Sequence, residues 1–408
     1  MVPVVIELDI THSAASNSRH RRVHDGRGPW VKRETSVQSG NSVNANQTVK
    51  SALIPACVVG LLLALSDWAL AAPWKFAVFC DTRGVDIGAN ATTTGVRVSV
   101  LGPIAQAVAA EPVDLVLVPG DLVTGSAACG PLADQLKRWK EMLAPLYAAH
   151  VPVYVIRGNH ENQAADSVAA WKAAFPELPQ NGPDTQTGLT YRVDHRNACF
   201  IGFDQYVGRA TRIDLARGVV NSGLIHPWVI EQVKHAQAPW VFVFGHEPAF
   251  IAHHSGCLAD APAERDALWN ALGEKGAIYC CGHDHLYLRC TLPDDAGHAV
   301  TELIVGDGGA PLYAADNTGH NAKEGRLAPT TQFVNGAVGS NTNNNTNGHP
   351  PYFGYLVVTI DDNVATGEWK AFVNYNEKTW AGTEKPVFKT LDTFRLQPLR
   401  ADAQRTEP

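Results

Sequence analysis

The sequence predicts an α/β fold, and two observations carry this prediction. From Trp74 onward, short runs rich in Val, Ile and Phe alternate with glycine turns and with stretches whose apolar residues follow a helical period. Such alternation is typical of α/β proteins. Five of the apolar runs end in a carboxylate, amide or imidazole side chain beside a glycine. This shared ending indicates that the strands deliver functional side chains to one place.

The first half of the predicted fold consists of strands joined by crossover helices. A strand over residues 74–80 comes first. The stretches 96–110 and 132–149 each carry apolar residues at helical spacing, and each leads to another apolar strand. A third helix is predicted over 166–175, because Pro176 cannot continue it.

A second sheet is predicted to begin after this helix, because residues 189–193 and 198–203 have the character of paired strands. The later predicted elements are helices over 227–235 and 263–272, strands over 240–244, 277–281 and 302–305, and a hairpin of 354–361 and 367–375. Residues 330–351 are rich in Asn and Thr, so we expect an exposed loop there.

The start of the chain does not look like a folded domain. Residues 1–48 are polar and lack apolar periodicity, so we expect a disordered upstream segment or an artefact of the gene model. Residues 49–71 contain an apolar run of fourteen and then Ala69-Leu70-Ala71. This pattern predicts a signal peptide, export to the periplasm or the extracellular space, and no stable membrane association after cleavage. One folded domain is expected over 72–398, followed by a tail over 399–408.

The charge distribution argues against a nucleic-acid partner. Residues 1–50 carry seven Lys and Arg against four Asp and Glu, a balance of +3, and the whole chain carries −7, so the remainder carries −10. Nucleic-acid binding depends on basic residues that neutralise phosphates. We therefore expect no nucleic-acid ligand.

Metal-binding residues follow five of the predicted strands. The five motifs are Asp81-Thr82-Arg83, Gly120-Asp121, Gly158-Asn159-His160-Glu161, Gly245-His246 and Gly282-His283-Asp284-His285. The candidate ligands are Asp81, Asp121, Asn159, His246, His283 and His285. Oxygen and nitrogen donors without thiolate suit Fe, Mn or Zn. Six ligands exceed what one tetrahedral ion takes, which favours two divalent or trivalent ions bridged by a carboxylate.

In this order, the motifs resemble the signature of the calcineurin-like metallophosphoesterase superfamily, over residues 76–289. Residues 282–289 and 308–313, together with the strand that begins near Phe353, are most similar to the purple acid phosphatase-like branch. The resemblance implies a four-layer αββα sandwich of two mixed sheets flanked by helices. It also implies a dimetal site at the carboxyl ends of the strands.

The resemblance assigns roles to individual residues. Asp81 and His285 would hold the first metal, Asn159, His246 and His283 the second, and Asp121 would bridge them. His160 would contact the phosphate and assist the leaving group, which is ordinary general acid chemistry. Asn159 would also face the substrate, and Glu161 is expected to orient His160.

Residues outside the motifs are weaker candidates for the cleft. His254, in the His253-His254 pair after Pro248, is predicted to bind substrate. Tyr206, Arg209 and the glycine-rich loop around Asp307 are further candidates.

Two positions depart from the family pattern. The chain has Arg83 where the family has the histidine of Asp-x-His, and Thr124 where purple acid phosphatases have a tyrosine ligand. The first metal site is therefore expected to be weak or empty. Arg83 cannot bind a cation. It either binds a phosphate oxygen and takes part in catalysis, or it pairs with a nearby carboxylate such as Asp86 and points away.

The sequence therefore predicts an exported, metal-dependent enzyme that hydrolyses phosphate monoesters through a hydroxide bridging two metal ions. The substrate would be a small-molecule or peptide phosphate ester. A phosphodiesterase is the alternative, because nothing in the sequence fixes whether the cleft admits a second ester substituent. A phosphate- or metal-binding protein without turnover is the other alternative, because Arg83 replaces a histidine ligand.

Overall fold

The structure is a computed structural model and describes residues 72–86, 93–207, 225–250, 257–313, 331–335 and 351–398. The chain divides into two units, Met1–Asp67 and Trp68–Pro408, and all described residues lie in the second. The predicted upstream segment, signal peptide and C-terminal tail lie outside the described residues.

Strands and helices alternate along most of the described chain. In chain order the elements are β1 (Trp74–Val78), α1 (Val98–Ala109), β2 (Leu115–Val118), α2 (Leu132–Met142), α3 (Ala144–Ala148), β3 (Val153–Val155), α4 (Ser167–Ala174), β4 (Tyr191–His195), β5 (Ala198–Gly202), α5 (Pro227–His235), β6 (Trp240–Phe244), α6 (Pro262–Lys275), β7 (Ile278–Cys281), β8 (Tyr287–Pro293), β9 (Ala299–Val305), β10 (Thr331–Val334), β11 (Gly354–Asp361), β12 (Val364–Phe372) and β13 (Phe388–Leu396). None of the described helices is both long and apolar enough to cross a membrane.

The strands form two mixed sheets. The first has the order β13-β12-β11-β1-β2-β3, in which β1, β2 and β3 are parallel and β11 to β13 add antiparallel pairs. The second has the order β10-β8-β9-β7-β6-β5-β4, in which β5, β6, β7 and β9 are parallel. The second sheet begins at β4, where the sequence predicts it.

The two sheets pack face to face, and helices cover both outer faces. Between the sheets, the ring of Phe76 on β1 lies 5.1 Å from Phe200 and 4.8 Å from Phe242, edge to face in both cases. Edge-to-face contacts are a favoured geometry for buried aromatic pairs. Helices α1 and α2 contribute to this first core, and α5 and α6 pack on the second sheet around Trp269. The expected four-layer αββα sandwich is confirmed.

Several predicted element boundaries are wrong. The predicted helix over 132–149 is two helices, α2 and α3, because Pro145 at the start of α3 has no N–H to continue the helical ladder. The predicted loop over 330–351 contains β10, which pairs with β8. The rest of that loop, 336–350, lies outside the described residues. Strands β8 and β13 are not predicted by the sequence pattern.

Candidate metal centre

The register of the parallel strands brings three of the motifs to one edge of the first sheet. Val78 pairs with Leu117 and Val118 pairs with Val155, so β1, β2 and β3 end side by side. Asp81 and Asp121 follow β1 and β2 within three residues. The carboxyl ends of parallel strands are the usual location of sites in α/β proteins.

The backbone at three candidate ligands is left-handed. The φ angles are 54° at Asp81, 52° at Asp121 and 67° at His283. A residue with a side chain avoids this region, at a cost of about 1 to 2 kcal/mol. Such strain persists where neighbouring contacts hold the loop in place, and it is typical of functional sites.

Two glycines are required because carboxylates approach their backbones. A Cβ on Gly158 would lie 2.1 Å from Asp121 Oδ1, and a Cβ on Gly282 would lie 2.1 Å from Asp81 Oδ2. Both distances are far inside van der Waals contact. The glycines beside the ligand residues therefore serve close approach, as the sequence motifs suggest.

Four donor atoms converge in the geometry of one coordination sphere. Asn159 Oδ1 lies 3.1 Å from His246 Nε2 and 3.2 Å from His283 Nδ1, and the two imidazole nitrogens are 3.3 Å apart. Asp121 Oδ1 lies 3.4 Å from His246 Nε2. Ligands about 2.1 Å from an ion are about 3.0 to 3.4 Å from one another in octahedral or tetrahedral arrangements. The residues of the predicted second metal site therefore fit a single ion.

Backbone carbonyls determine which ring nitrogen of His246 and of His285 faces the centre. His246 Nδ1 lies 2.8 Å from Pro119 O, and His285 Nδ1 lies 2.8 Å from Pro311 O. A carbonyl oxygen only accepts, so each Nδ1 carries the hydrogen and donates it. Each Nε2 is left as a lone pair directed at the centre, which is how proteins orient metal-binding histidines.

Two buried carboxylates, Asp81 and Asp121, lie close together among these donor atoms. Donor atoms of Asp81, Asp121 and His246 lie within 4.8 Å of one another. Burial and the charge of Asp121 raise the pKa of Asp81 well above its usual value. Burial raises the pKa of Asp121 as well, but the interactions of its carboxylate with the His246 and His160 imidazoles and the Arg83 guanidinium outweigh burial and hold that pKa below its usual range. This arrangement of acidic groups suits a bound cation.

Arg83 points into the centre. Its Nε donates to Asp121 Oδ2 at 3.0 Å, and its Nη2 lies 3.1 Å from His285 Nε2. Asp86 instead accepts hydrogen bonds from the N–H groups of Val98 and Ser99 at the start of α1. Of the two interpretations of Arg83 that the sequence leaves open, the geometry favours the one that faces the centre.

The first metal site fits an ion poorly for the same reason. Asp81 Oδ1 lies 3.6 Å from His285 Nε2, but the arginine occupies the acceptors that an ion would use. Thr124 supplies no phenolate in place of the tyrosine, and its hydroxyl donates to Gly95 O at 3.1 Å. Two of the atoms that a first ion would use, Asp121 Oδ2 and His285 Nε2, are therefore already in contact with Arg83.

His160 lies at the rim of the centre and is oriented by Thr124. Its Nδ1 lies 2.7 Å from Thr124 O and donates to it, so Nε2 faces the cleft, 4.0 Å from Asp121 Oδ2. Its backbone N–H donates to Asp121 Oδ1 at 3.0 Å. Burial lowers the pKa of His160 more than the charge of Asp121 raises it. His160 is thus placed beside the donor cluster without belonging to it.

Glu161 does not orient His160, so that expectation is wrong. Its carboxylate accepts the backbone N–H groups of Asp121 at 3.1 Å, Val123 at 2.9 Å and Gly158 at 2.7 Å. Burial and the charge of Asp121 raise the pKa of Glu161 to about 8. Glu161 therefore ties the loop after β2 to the loop after β3, and so holds Asp121 and Asn159 together.

Other supporting residues have no motif of their own in the sequence. The Cys80 thiol lies 3.1 Å from Asp81 Oδ2, and the side-chain oxygen of Gln205 accepts the N–H of His246 at 2.6 Å. The ring of Tyr313 stacks on His285 with centroids 4.2 Å apart. Only Cys80 gives a sequence signal, as a thiol at the end of a buried strand next to a candidate ligand.

The weaker candidates for the cleft have different outcomes. His254 and Arg209 lie outside the described residues, so their roles in the cleft stay predictions. Tyr206 is buried, and its hydroxyl donates to Glu247 at 3.0 Å. Asp307 is buried, accepts from Trp369 Nε1 at 2.8 Å, and has a pKa that burial raises to about 7. Both residues therefore stabilise the fold through buried hydrogen bonds.

Comparison with known proteins gives the same picture. The family model described as calcineurin-like phosphoesterase matches residues 86–287, a range that begins after Asp81 and Arg83. No curated protein matches the chain.

Two solved structures share the fold of this chain. One is titled "Structure of PhoD", with 14% identity and a TM-score of 0.53, covering 81% of this chain and 70% of that chain. Another is purple acid phosphatase PPD1 from yellow lupin (Lupinus luteus) seeds, with 16% identity and a TM-score of 0.52. That match covers 80% of this chain but only 54% of the lupin chain. At these identities the similarity shows the fold.

Proposed function

Because the chain belongs to the calcineurin-like phosphoesterases and is a hydrolase of phosphoester bonds, we propose that it hydrolyses phosphate monoesters at the centre described above. The observation that carries this proposal is the convergence of Asp121, Asn159, His246 and His283 next to His160. The donors would hold a divalent ion, and His160 stands where a leaving group would need a proton. The substrate class is a small-molecule or peptide phosphate ester.

The residues around the ion would divide the work between binding and proton transfer. A divalent ion supplies a coordinated water of lowered pKa and a positive charge for phosphate oxygens. Asn159, His160 and Arg83 are the half-buried members of the group and form its rim. Their side chains are therefore the ones that a phosphate entering from solvent meets first, and the Arg83 fork suits a phosphate oxygen.

His160 would donate the proton to the leaving group. Its Nδ1–H is committed to Thr124 O, so only Nε2 can exchange a proton with a substrate. An imidazolium donating from Nε2 would hand its proton to the ester oxygen as the P–O bond breaks. The hydrogen bond to Thr124 keeps the ring in this orientation throughout.

A monoester is favoured over a diester by the charges at the rim. The phosphate of a monoester carries up to two negative charges, whereas that of a diester carries one. The centre offers a guanidinium at Arg83 in addition to the ion that Asp121 and its neighbours would hold. Two cationic partners match a dianion best.

The test compares p-nitrophenyl phosphate with bis(p-nitrophenyl) phosphate, using the full chain with Mn, Zn or Fe added separately. We expect faster turnover of the monoester and loss of activity when a chelator removes the metal. A faster reaction with the bis-ester would make the protein a phosphodiesterase. No turnover of either ester with any metal would indicate a binding protein instead.

We also propose that the protein is exported, on the basis of the apolar run and the Ala69-Leu70-Ala71 pattern in residues 49–71. The mature chain is expected to begin near Ala72, immediately before the first described strand. Mass spectrometry of protein isolated from its native host measures this. Peptides from residues 12–32 in the mature protein would contradict it.

A further inference from the structure

The Arg83 guanidinium lies where the ligands of a first metal ion would meet. Its Nε donates to Asp121 Oδ2 at 3.0 Å, and its Nη2 lies 3.1 Å from His285 Nε2. The family pattern assigns these same two residues to the first ion. The side chain reaches this position from the fifth residue after β1, and it is 16% exposed.

His285 cannot bind Arg83 and an ion at the same time. Its Nδ1–H is donated to Pro311 O at 2.8 Å, so Nε2 holds the one lone pair available. That lone pair faces an Arg83 N–H, because a guanidinium has donors and no acceptor. A nitrogen that accepts this hydrogen bond is not free to coordinate a metal.

The charge balance also favours one ion. When both are ionised, Asp81 and Asp121 carry two negative charges, and Arg83 together with one divalent ion would supply three positive charges. A second divalent ion would have to enter beside a permanently charged guanidinium that already contacts Asp121. The repulsion between these two cations, in a buried setting with little screening, opposes its entry.

We propose that Arg83 takes the place of the first metal ion, so that the centre holds a single ion bound by Asp121, Asn159, His246 and His283. This inference rests on the proposed function and specifies how the phosphate of the substrate is bound. The phosphate lies between the ion and the guanidinium. Arg83 has five N–H donors, and among the described residues it uses two of them on Asp121 and His285, so further donors of the same fork can serve phosphate oxygens.

Asp81 presents a buried carboxylate oxygen close to the ligands of the single ion. Its Oδ1 is buried and has no hydrogen-bond partner among the described residues. A donor atom of Asp81 lies within 4.8 Å of donors of Asp121 and His246. An ion held beside His246 would give this buried oxygen a partner of opposite charge.

The direct test is the metal content of the unaltered protein. The full chain is loaded with Mn²⁺ or Zn²⁺, dialysed against metal-free buffer, and analysed by plasma mass spectrometry. We expect one ion per chain. In the Mn²⁺-loaded protein, electron paramagnetic resonance should show the spectrum of an isolated ion. Two retained ions, or the spectrum of a spin-coupled pair, would overturn the proposal.

Arg83→His tests whether the arginine is what excludes the second ion. It removes the guanidinium and supplies the nitrogen ligand of the family pattern, so retained metal should rise toward two ions per chain. Arg289→His is the matched control, because Arg289 is similarly buried but pairs with Asp392 at 2.9 Å. The control should retain one ion. If Arg83→His also retains one, something other than Arg83 excludes the ion and the proposal fails.

Arg83→Gln tests the phosphate contact. The probe is inorganic phosphate titrated calorimetrically into the metal-loaded protein. Loss of a charge-assisted hydrogen bond should weaken phosphate binding by about 10- to 100-fold, while retained metal stays at one ion or rises. Unchanged phosphate affinity would contradict the role of Arg83 as the second positive charge.

The metal count tests the single-ion centre, and the hydrolysis assay tests the proposed function, so either claim can be contradicted without the other. One ion per chain without hydrolysis of either ester would overturn the proposed function and leave the single-ion centre standing. Two ions per chain with hydrolysis would do the reverse.

Discussion

Replacing Asp121 by alanine is expected to abolish hydrolysis together with metal binding. Its Oδ1 belongs to the four-donor cluster, and its Oδ2 accepts the Arg83 guanidinium. Its Oδ1 also accepts the N–H of His160. Loss of residues that merely support ligands costs ~10- to 100-fold in metal affinity, so the loss of a ligand should exceed ~100-fold. Metal content after dialysis and kcat/KM of the same preparations measure the effect.

Asp307→Asn is the matched control for this change. Asp307 is also a fully buried carboxyl, at the end of the second sheet near the centre, but it accepts a hydrogen bond from Trp369 and is not among the clustered donors. Asparagine keeps an oxygen for Trp369, so metal content and rate should stay close to those of the parent. An Asp121→Ala protein that keeps its metal would show that the donor cluster is assigned incorrectly.

Replacing His160 by alanine should lower kcat by ~10²- to 10⁴-fold while metal content is retained, because the change removes a general acid and no ligand. The dependence on leaving group gives a sharper readout. A poor leaving group needs its proton more, so phenyl phosphate should lose more rate than p-nitrophenyl phosphate. Parallel assays of the two esters, with metal analysis of the same samples, measure this.

Gln163→Ala controls for disturbance of the His160 loop. Gln163 Nε2 lies 3.2 Å from His160 Nδ1 and is exposed, so its loss should change the rate by only a few fold. Metal loss in His160→Ala equal to that in Asp121→Ala would make His160 a ligand or a structural residue. Equal rate losses for the two esters would remove its role as the proton donor.

The candidate ligands could be predicted to lie together because each of them follows a strand whose apolar pattern is strong. Strands β6 and β11 are found with the predicted bounds, and the residues after β6 and β7 reach the centre directly. The failures occur where the local pattern is weak. Strand β13 lies at the edge of the first sheet, and its apolar residues are separated by charged residues and threonines without a strict two-residue alternation. It owes its conformation to pairing with β12.

The supporting contacts could not be predicted because backbone atoms make them. Thr124 orients His160 through its carbonyl, and Pro119 and Pro311 do the same for His246 and His285. Every residue offers the same backbone carbonyl whatever its side chain, so no residue type in the sequence indicates this role. Glu161 shows the converse, since its three partners are N–H groups of loops that only the fold brings together.

The sequence by itself determined the family, the α/β class and the identity of the candidate ligands, because these depend on residue types placed at fixed positions relative to strong strand patterns. It also showed that Arg83 stands where a histidine is expected. Whether that arginine turns toward the centre or toward Asp86 was decided by the tertiary structure. Asp86 lies three positions along the chain, but its carboxylate accepts the N–H groups of the first turn of α1. The fold instead brings Asp121 and His285 against the guanidinium, and Arg83 contacts both. Hydrogen-bond partners are set by which groups the fold leaves unpaired at close range.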